Sequence, residues 1–256
     1  MTYFDAHIHL DKYSDQEIAE ILHDPFLEGV LAVSMDLPSS QRTLSLKQRN
    51  PQKVSIACGF HPEQEIQDCT PLINWIIKHA DEIDAIGEIG LPYYLRQEAE
   101  KVGRNFPSES YQKLLATFLE LAKELNKPVV LHAVYEDARV ACDLLEKYGI
   151  EKAHFHWIKT DQETLQRMAE QQYYISFTPD LLYKKKTMDI AAAYPLSLIL
   201  VETDGPWSFE GPFAKCSTTP RLLPKVIEKL ASLRRLPVSE LEAILQQNIQ
   251  RFLSRQ

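Results

Sequence analysis

No stretch of this sequence stays apolar for the ~20 residues that a membrane-crossing helix needs. The first residues, Met-Thr-Tyr-Phe-Asp-Ala-His, lack the basic-then-apolar order of a secretory signal. Paired cysteines are missing too. Cys58, Cys69, Cys142 and Cys216 stand far apart, without the close spacing of a structural zinc site. They read as free thiols in a reducing cytoplasm, which is the expected location. There is no excess of positive charge: 28 Lys and Arg face 36 Asp and Glu, a net charge of −8. Affinity for nucleic acid comes from neutralising phosphates, so this charge counts against a module that binds by bulk attraction. It leaves room for a nuclease whose cations sit in the site. No low-complexity tract, short repeat or Gly/Ser-rich linker divides the chain, and residues 1–256 are read as one domain.

What recurs is a short apolar, β-branched run followed by a helical stretch. The runs are Tyr3–His9, Gly29–Asp36, Val54–Phe60, Ala85–Ile89, Val129–Ala133, Ala153–Trp157, Tyr173–Thr178 and Ser197–Thr203. Most are continuously apolar, as expected of strands covered on both faces. Between them, Ser110–Leu125 carries apolar residues at helical spacing and stops at Asn126-Lys127-Pro128. Glu136–Tyr148 ends at Gly149, a C-cap signal. Eight alternations predict an α/β fold, a TIM-type (β/α) barrel. An open doubly wound sheet is disfavoured because no Gly-rich turn follows the first run.

The polar residues fall at the ends of these runs. His7 and His9 end the first, His61 follows the third, and Glu88 lies near the end of the fourth. His132 ends the fifth, His154 and His156 lie in the sixth, and Asp204 follows the eighth. In a parallel barrel all these ends open onto one face, where barrel enzymes keep their chemistry. His7 and His9 are two apart, so on a strand both project to one side and could hold one ion. Asp5 shares that parity and could accept from a ligand imidazole, fixing its tautomer. Glu88, in Ala-Ile-Gly-Glu-Ile-Gly-Leu, is a carboxylate in an apolar strand, costly to bury unless it is paired or on a metal. Glu202 has the parity of Asp204, one step deeper. At this point His154 and His156 are equal candidates.

These segments carry a family resemblance. Phe4-Asp-Ala-His-Ile-His-Leu, Gly59-Phe-His-Pro, Gly87-Glu-Ile-Gly-Leu, Pro128-Val-Val-Leu-His, Tyr174-Ile-Ser-Phe, Val201-Glu-Thr-Asp-Gly-Pro and Asn248-Ile-Gln-Arg-Phe resemble, in order and spacing, the TatD-type metal-dependent hydrolases of the amidohydrolase-like superfamily. The resemblance implies one metal on His7, His9 and Asp204, a second on His132 and His156, and Glu88 as the bridging carboxylate. It selects His156 over His154 and gives His61 a substrate contact at the rim. Two such cations generate a hydroxide at neutral pH and clamp the oxygens of a displacement. Asp204 is then the residue to orient or deprotonate the water, and Asp204 with Glu88 forms the expected catalytic pair. The imidazole-rich set suits zinc, manganese, iron or nickel better than calcium; the resemblance adds magnesium. It implies a deoxyribonuclease acting on single-stranded DNA, or on a small phosphodiester.

The substrate-reading positions depart from the family. Pro92 stands where the family often has Asp, Val134 where it often has Arg, and His156-Trp-Ile-Lys-Thr where it has His-x-Phe-Ser-Gly. Phe213-Ala-Lys-Cys-Ser-Thr-Thr-Pro replaces a basic segment. An arginine is the natural bidentate grip on phosphate. Lys159 and the run Lys184-Lys185-Lys186 could supply charge instead, and Trp157 and Trp207 could stack on a base. The altered rim motivates an alternative, an amide or ester hydrolase of deacylase type on the same barrel. A non-catalytic, metal-bearing partner-binding protein ranks last, since no ligand position is lost.

Overall fold

A computed structural model describes residues 2–254. Eight parallel strands follow one another around a barrel: β1 (Tyr3–Ile8), β2 (Leu27–Val33), β3 (Val54–Cys58), β4 (Ala85–Gly90), β5 (Val129–His132), β6 (Ala153–Phe155), β7 (Tyr174–Phe177) and β8 (Ile199–Val201). Each pairs with the next in the chain, for example Val30 with Val54 and Ile175 with Ile199. The seam between β8 and β1 is closed just beyond the last ladder. There Asp204 N donates to His7 O at 3.0 Å and His9 N donates to Gly205 O at 2.8 Å. All eight apolar runs are strands, and the fold is the expected TIM-type barrel.

Several ladders stop before the runs do. The backbone turns out of the sheet at Trp157 (φ 41°) and Asp204 (φ 52°), left-handed positions that no ladder residue adopts. The chemistry-bearing ends of these runs therefore stand as loop residues on the barrel mouth.

Helices cover the outside. The long helix α1 (Ser108–Glu124) starts two residues earlier than its apolar spacing suggests, directly after Pro107. It buries Tyr111, Leu115, Phe118, Leu119, Leu121 and Ala122 against the sheet. Helix α2 (Glu136–Tyr148) ends, as its sequence indicates, at Gly149 in the left-handed conformation (φ 64°). The C-terminal helix α3 (Val238–Leu253) pins the start of β8 through Asn248, whose Nδ2 donates to Leu196 O at 2.8 Å and Ile199 O at 2.7 Å. Close approach of strands fixes Gly90: a Cβ there would lie 1.9 Å from the carbonyl oxygen of His132. No helix among the described residues is long and apolar enough to cross a membrane.

Candidate metal centre

The barrel mouth gathers six imidazole and carboxylate side chains around Glu88. This residue is fully buried at the end of β4, and its two oxygens face different partners. Oε2 lies 3.2 Å from His7 Nε2 and 3.5 Å from His9 Nε2. Both imidazoles also lie 3.5 Å from Asp204 Oδ1. Oε1 lies 2.9 Å from His156 Nε2, 3.2 Å from His132 Nδ1 and 3.4 Å from His61 Nε2. The rings of His7 and His156 stack, with centroids 4.0 Å apart, and join the two halves. Among the described residues, three groups of donor atoms are close enough to share a cation: His7, His9 and Asp204; His61, Glu88 and His132; His7, His156 and Glu202.

Electrostatics follow from this crowding. Burial alone would raise the Glu88 carboxyl, but the facing imidazoles of His156, His61, His7 and His132 together hold it well below the usual carboxylate range. Burial likewise opposes ionisation of Asp204, and His9, His156 and His7 outweigh it. Burial disfavours protonated His132 and His156, yet the facing carboxylates raise both, Glu63 and Glu88 for His132 and Glu88 and Glu202 for His156. The cluster thus favours ionised carboxylates at its centre. Several of its buried atoms have no hydrogen-bond partner: His7 Nδ1 and Nε2, His9 Nδ1, both oxygens of Glu88, His156 Nδ1 and Asp204 Oδ1. Orphaned polar atoms at this depth are costly in a core and are the expected state of ligands awaiting a cation.

A shell of further groups holds these side chains. Glu63, which sequence reasoning missed, accepts backbone N–H groups of Tyr94 at 2.8 Å and Leu95 at 2.7 Å. Its Oε1 lies 3.3 Å from His132 Nε2. A carboxylate on the far nitrogen of an imidazole fixes the ring's tautomer and angle. The only signal was its place two residues after His61. Glu202 accepts from Trp157 N at 2.8 Å and from Ser176 Oγ at 2.6 Å, and it faces His156 Nδ1 at 3.6 Å. His154 bonds Ser176 Oγ at 2.7 Å, its ring packs edge-on against Phe252, and it belongs to none of the three donor groups.

Two expectations need correction. Asp5 does not reach an imidazole. Its carboxylate accepts from Thr203 N at 3.0 Å, from Thr203 Oγ1, and from His7 N at 3.2 Å. It therefore sets the backbone of His7 across the barrel seam, and burial pushes its carboxyl up to about 8. His61 lies deeper than the rim: it is buried, within reach of Glu88, and still lines the cavity where the expected substrate contact would be made.

Above the centre lies a cavity of about 190 Å³. His9, His61, His132, His156 and Asp204 form its floor and Tyr94, Trp157, Trp207 and Phe209 its walls. Of the lysine run, Lys184 leans toward Asp180 Oδ2 at 3.7 Å, whereas Lys185 pairs with Asp189 on the surface. Lys159 touches two residues of the wall. Its Nζ lies 3.2 Å from the centroid of the Trp157 ring and 3.2 Å from Tyr94 Oη. Burial lowers its ammonium to about 8.

The sequence model of the family described as "TatD related DNase" matches residues 4–254. The chain belongs to the TatD family of metal-dependent hydrolases. It is similar, at 40% identity over 97% of its length and 98% of the relative's, to an uncharacterized metal-dependent hydrolase of Haemophilus influenzae. At 26% identity, over 99% of this chain and 97% of the relative, it is similar to another from Methanocaldococcus jannaschii. The crystal structure of the TatD homologue YjjV from Escherichia coli superposes with a TM-score of 0.85 at 23% identity, covering 98% of this chain and 97% of that one. A TatD family hydrolase from Entamoeba histolytica superposes with a TM-score of 0.81 at 15% identity, over 100% and 99%. These two share the barrel.

Proposed function

We propose that the protein is a two-metal phosphodiesterase of the deoxyribonuclease kind, acting on single-stranded DNA or on a small phosphodiester. The observation that carries this reading is the division of Glu88: one oxygen toward His7 and His9, the other toward His132 and His156. A carboxylate shared between two pairs of imidazoles fits a pair of divalent cations. His7, His9 and Asp204 would hold one, and His132 and His156 the other. The nitrogen-rich donors fit zinc or manganese, and the carboxylates accept magnesium. The similar human protein Deoxyribonuclease TATDN3, 24% identical over 95% of this chain and 92% of its own, supports the substrate class.

Cations bound there supply Lewis acidity toward phosphoryl oxygens and make water a competent nucleophile at neutral pH. The remaining work belongs to this chain's residues. Asp204, a cavity-floor carboxylate held ionised by His9, His156 and His7, accepts the proton of the attacking water. Glu63 and Glu202 keep His132 and His156 at fixed angles, and Asp5 fixes the backbone of His7. Trp157, Trp207 and Phe209 exclude bulk water and offer flat faces to a base.

The competing amide- or ester-hydrolase reading draws on Val134, a fully buried apolar residue that offers no grip on phosphate. Turnover separates the two. Metal-loaded protein should cleave single-stranded DNA and bis(p-nitrophenyl) phosphate, and a Glu88→Ala variant should cleave neither. Protein that leaves both intact but turns over an aryl ester or an anilide would replace the phosphodiesterase reading with the alternative.

A further inference from the structure

We propose that Lys159 is the anion-binding residue of this cavity, its ammonium receiving a nonbridging oxygen of the phosphodiester and selecting charged diesters over neutral esters. The proposal rests on the phosphodiesterase reading above for its substrate, and on separate geometry for its site. Among the described residues, Lys159 has no carboxylate partner. Its polar contact is the hydroxyl of Tyr94, and its charge lies over the indole face of Trp157. Tyr94 and Trp157 both line the cavity beside His132, His156 and Asp204, and the ammonium contacts both of these wall residues. The neighbouring lysines are already engaged: Lys184 leans toward Asp180 and Lys185 pairs with Asp189.

The backbone beneath it is braced. Lys159 O accepts from Tyr135 N, and Thr160 Oγ1 donates to Tyr135 O at 3.0 Å. Tyr135 itself is held at φ 55°, a conformation costly for a bulky residue. The loop after β5, whose Val134 brings no charge, is thus tied to the loop after β6, which brings one. A half-buried lysine without an ion pair is poorly explained by packing alone, since a methionine would fill the same space without desolvating a charge. An arriving phosphate oxygen completes it. The aromatic partners keep the ammonium in place without neutralising it, which a carboxylate partner would do.

The test uses metal-loaded wild type, Lys159→Met, Lys159→Arg and, as a surface control, Lys185→Met. Binding of inorganic phosphate is followed by calorimetry and by tryptophan emission, which reports on Trp157. Loss of one charge-assisted hydrogen bond should weaken phosphate binding roughly 10- to 100-fold in Lys159→Met. The KM for bis(p-nitrophenyl) phosphate should rise by a similar factor. Lys159→Arg should recover most of both, and Lys185→Met should match the wild type. Phosphate binding equal in wild type and Lys159→Met, absent from the wild type, or lost equally in Lys159→Met and Lys159→Arg would overturn the proposal. Lys159-dependent phosphate binding by protein that cleaves no diester would keep the anion site and remove the phosphodiesterase reading.

Discussion

Replacing Lys159 by methionine should make the protein more stable, and the gain should depend on pH. The ammonium is held against the Trp157 ring, and burial lowers it from 10.5 to about 8. At pH 7 lysine is charged in both the folded and the unfolded chain, so folding bears the full cost of desolvating it. The difference between 10.5 and about 8 corresponds to roughly 3 kcal/mol. Losing the Tyr94 hydrogen bond and the cation–π contact offsets part of that gain. Methionine keeps most of the stem's packing. The expected gain at pH 7 is therefore about 1–3 kcal/mol, or several degrees in thermal midpoint for a chain of this size. As pH rises above about 8 the folded protein sheds the proton first, and wild-type stability catches up. Above about pH 10.5 the unfolded chain is neutral as well, and the two proteins should coincide. Thermal melts of both proteins at pH 7, 9 and 10.5 check this. A Met variant less stable than the wild type at pH 7, or a gap that widens with pH, would refute the account of Lys159 as a charge kept at a cost in stability.

Other substitutions probe the centre itself. Asp204→Asn should largely abolish turnover while leaving the circular dichroism spectrum unchanged, because asparagine tolerates the left-handed backbone at this position; full activity would remove Asp204 from the chemistry. Glu63→Gln should weaken metal binding about 10- to 100-fold in a competition titration with a chromogenic chelator, since it loosens the grip on His132. Chelation should lower the thermal midpoint, and metal at about 100 times its dissociation constant should restore roughly 2.7 kcal/mol per site. Gly90→Ala should impair folding outright, measured as loss of soluble, cooperatively melting protein, because its Cβ would meet the His132 carbonyl.

Much of the centre was legible because each ligand candidate interrupts or ends an apolar run. His7, His9, His132 and His156 stand where mostly apolar runs give way to imidazole, and a parallel barrel sends all such ends to one mouth. The strands were legible for the same reason: both faces are buried, so the runs are continuous. What the pattern could not supply were contacts between segments distant in sequence. Glu63 lies in a loop with no periodicity and reaches His132 across the mouth. The parity of Asp5 indicated the side it faces, but not that Thr203, beyond the barrel seam, would take its carboxylate. His61 follows β3 in a turn, and the turn folds it inward onto Glu88.

The central claim is that two cations, joined by Glu88, work together on a phosphodiester. The direct measurement is hydrolysis of bis(p-nitrophenyl) phosphate by chelator-stripped protein as manganese or zinc is added back in known equivalents, beside Glu88→Ala. The account predicts little activity at the first equivalent, a rise to a plateau at the second, and none at any ratio in the variant. Full activity at one equivalent, or a variant that keeps pace with the wild type, would contradict it.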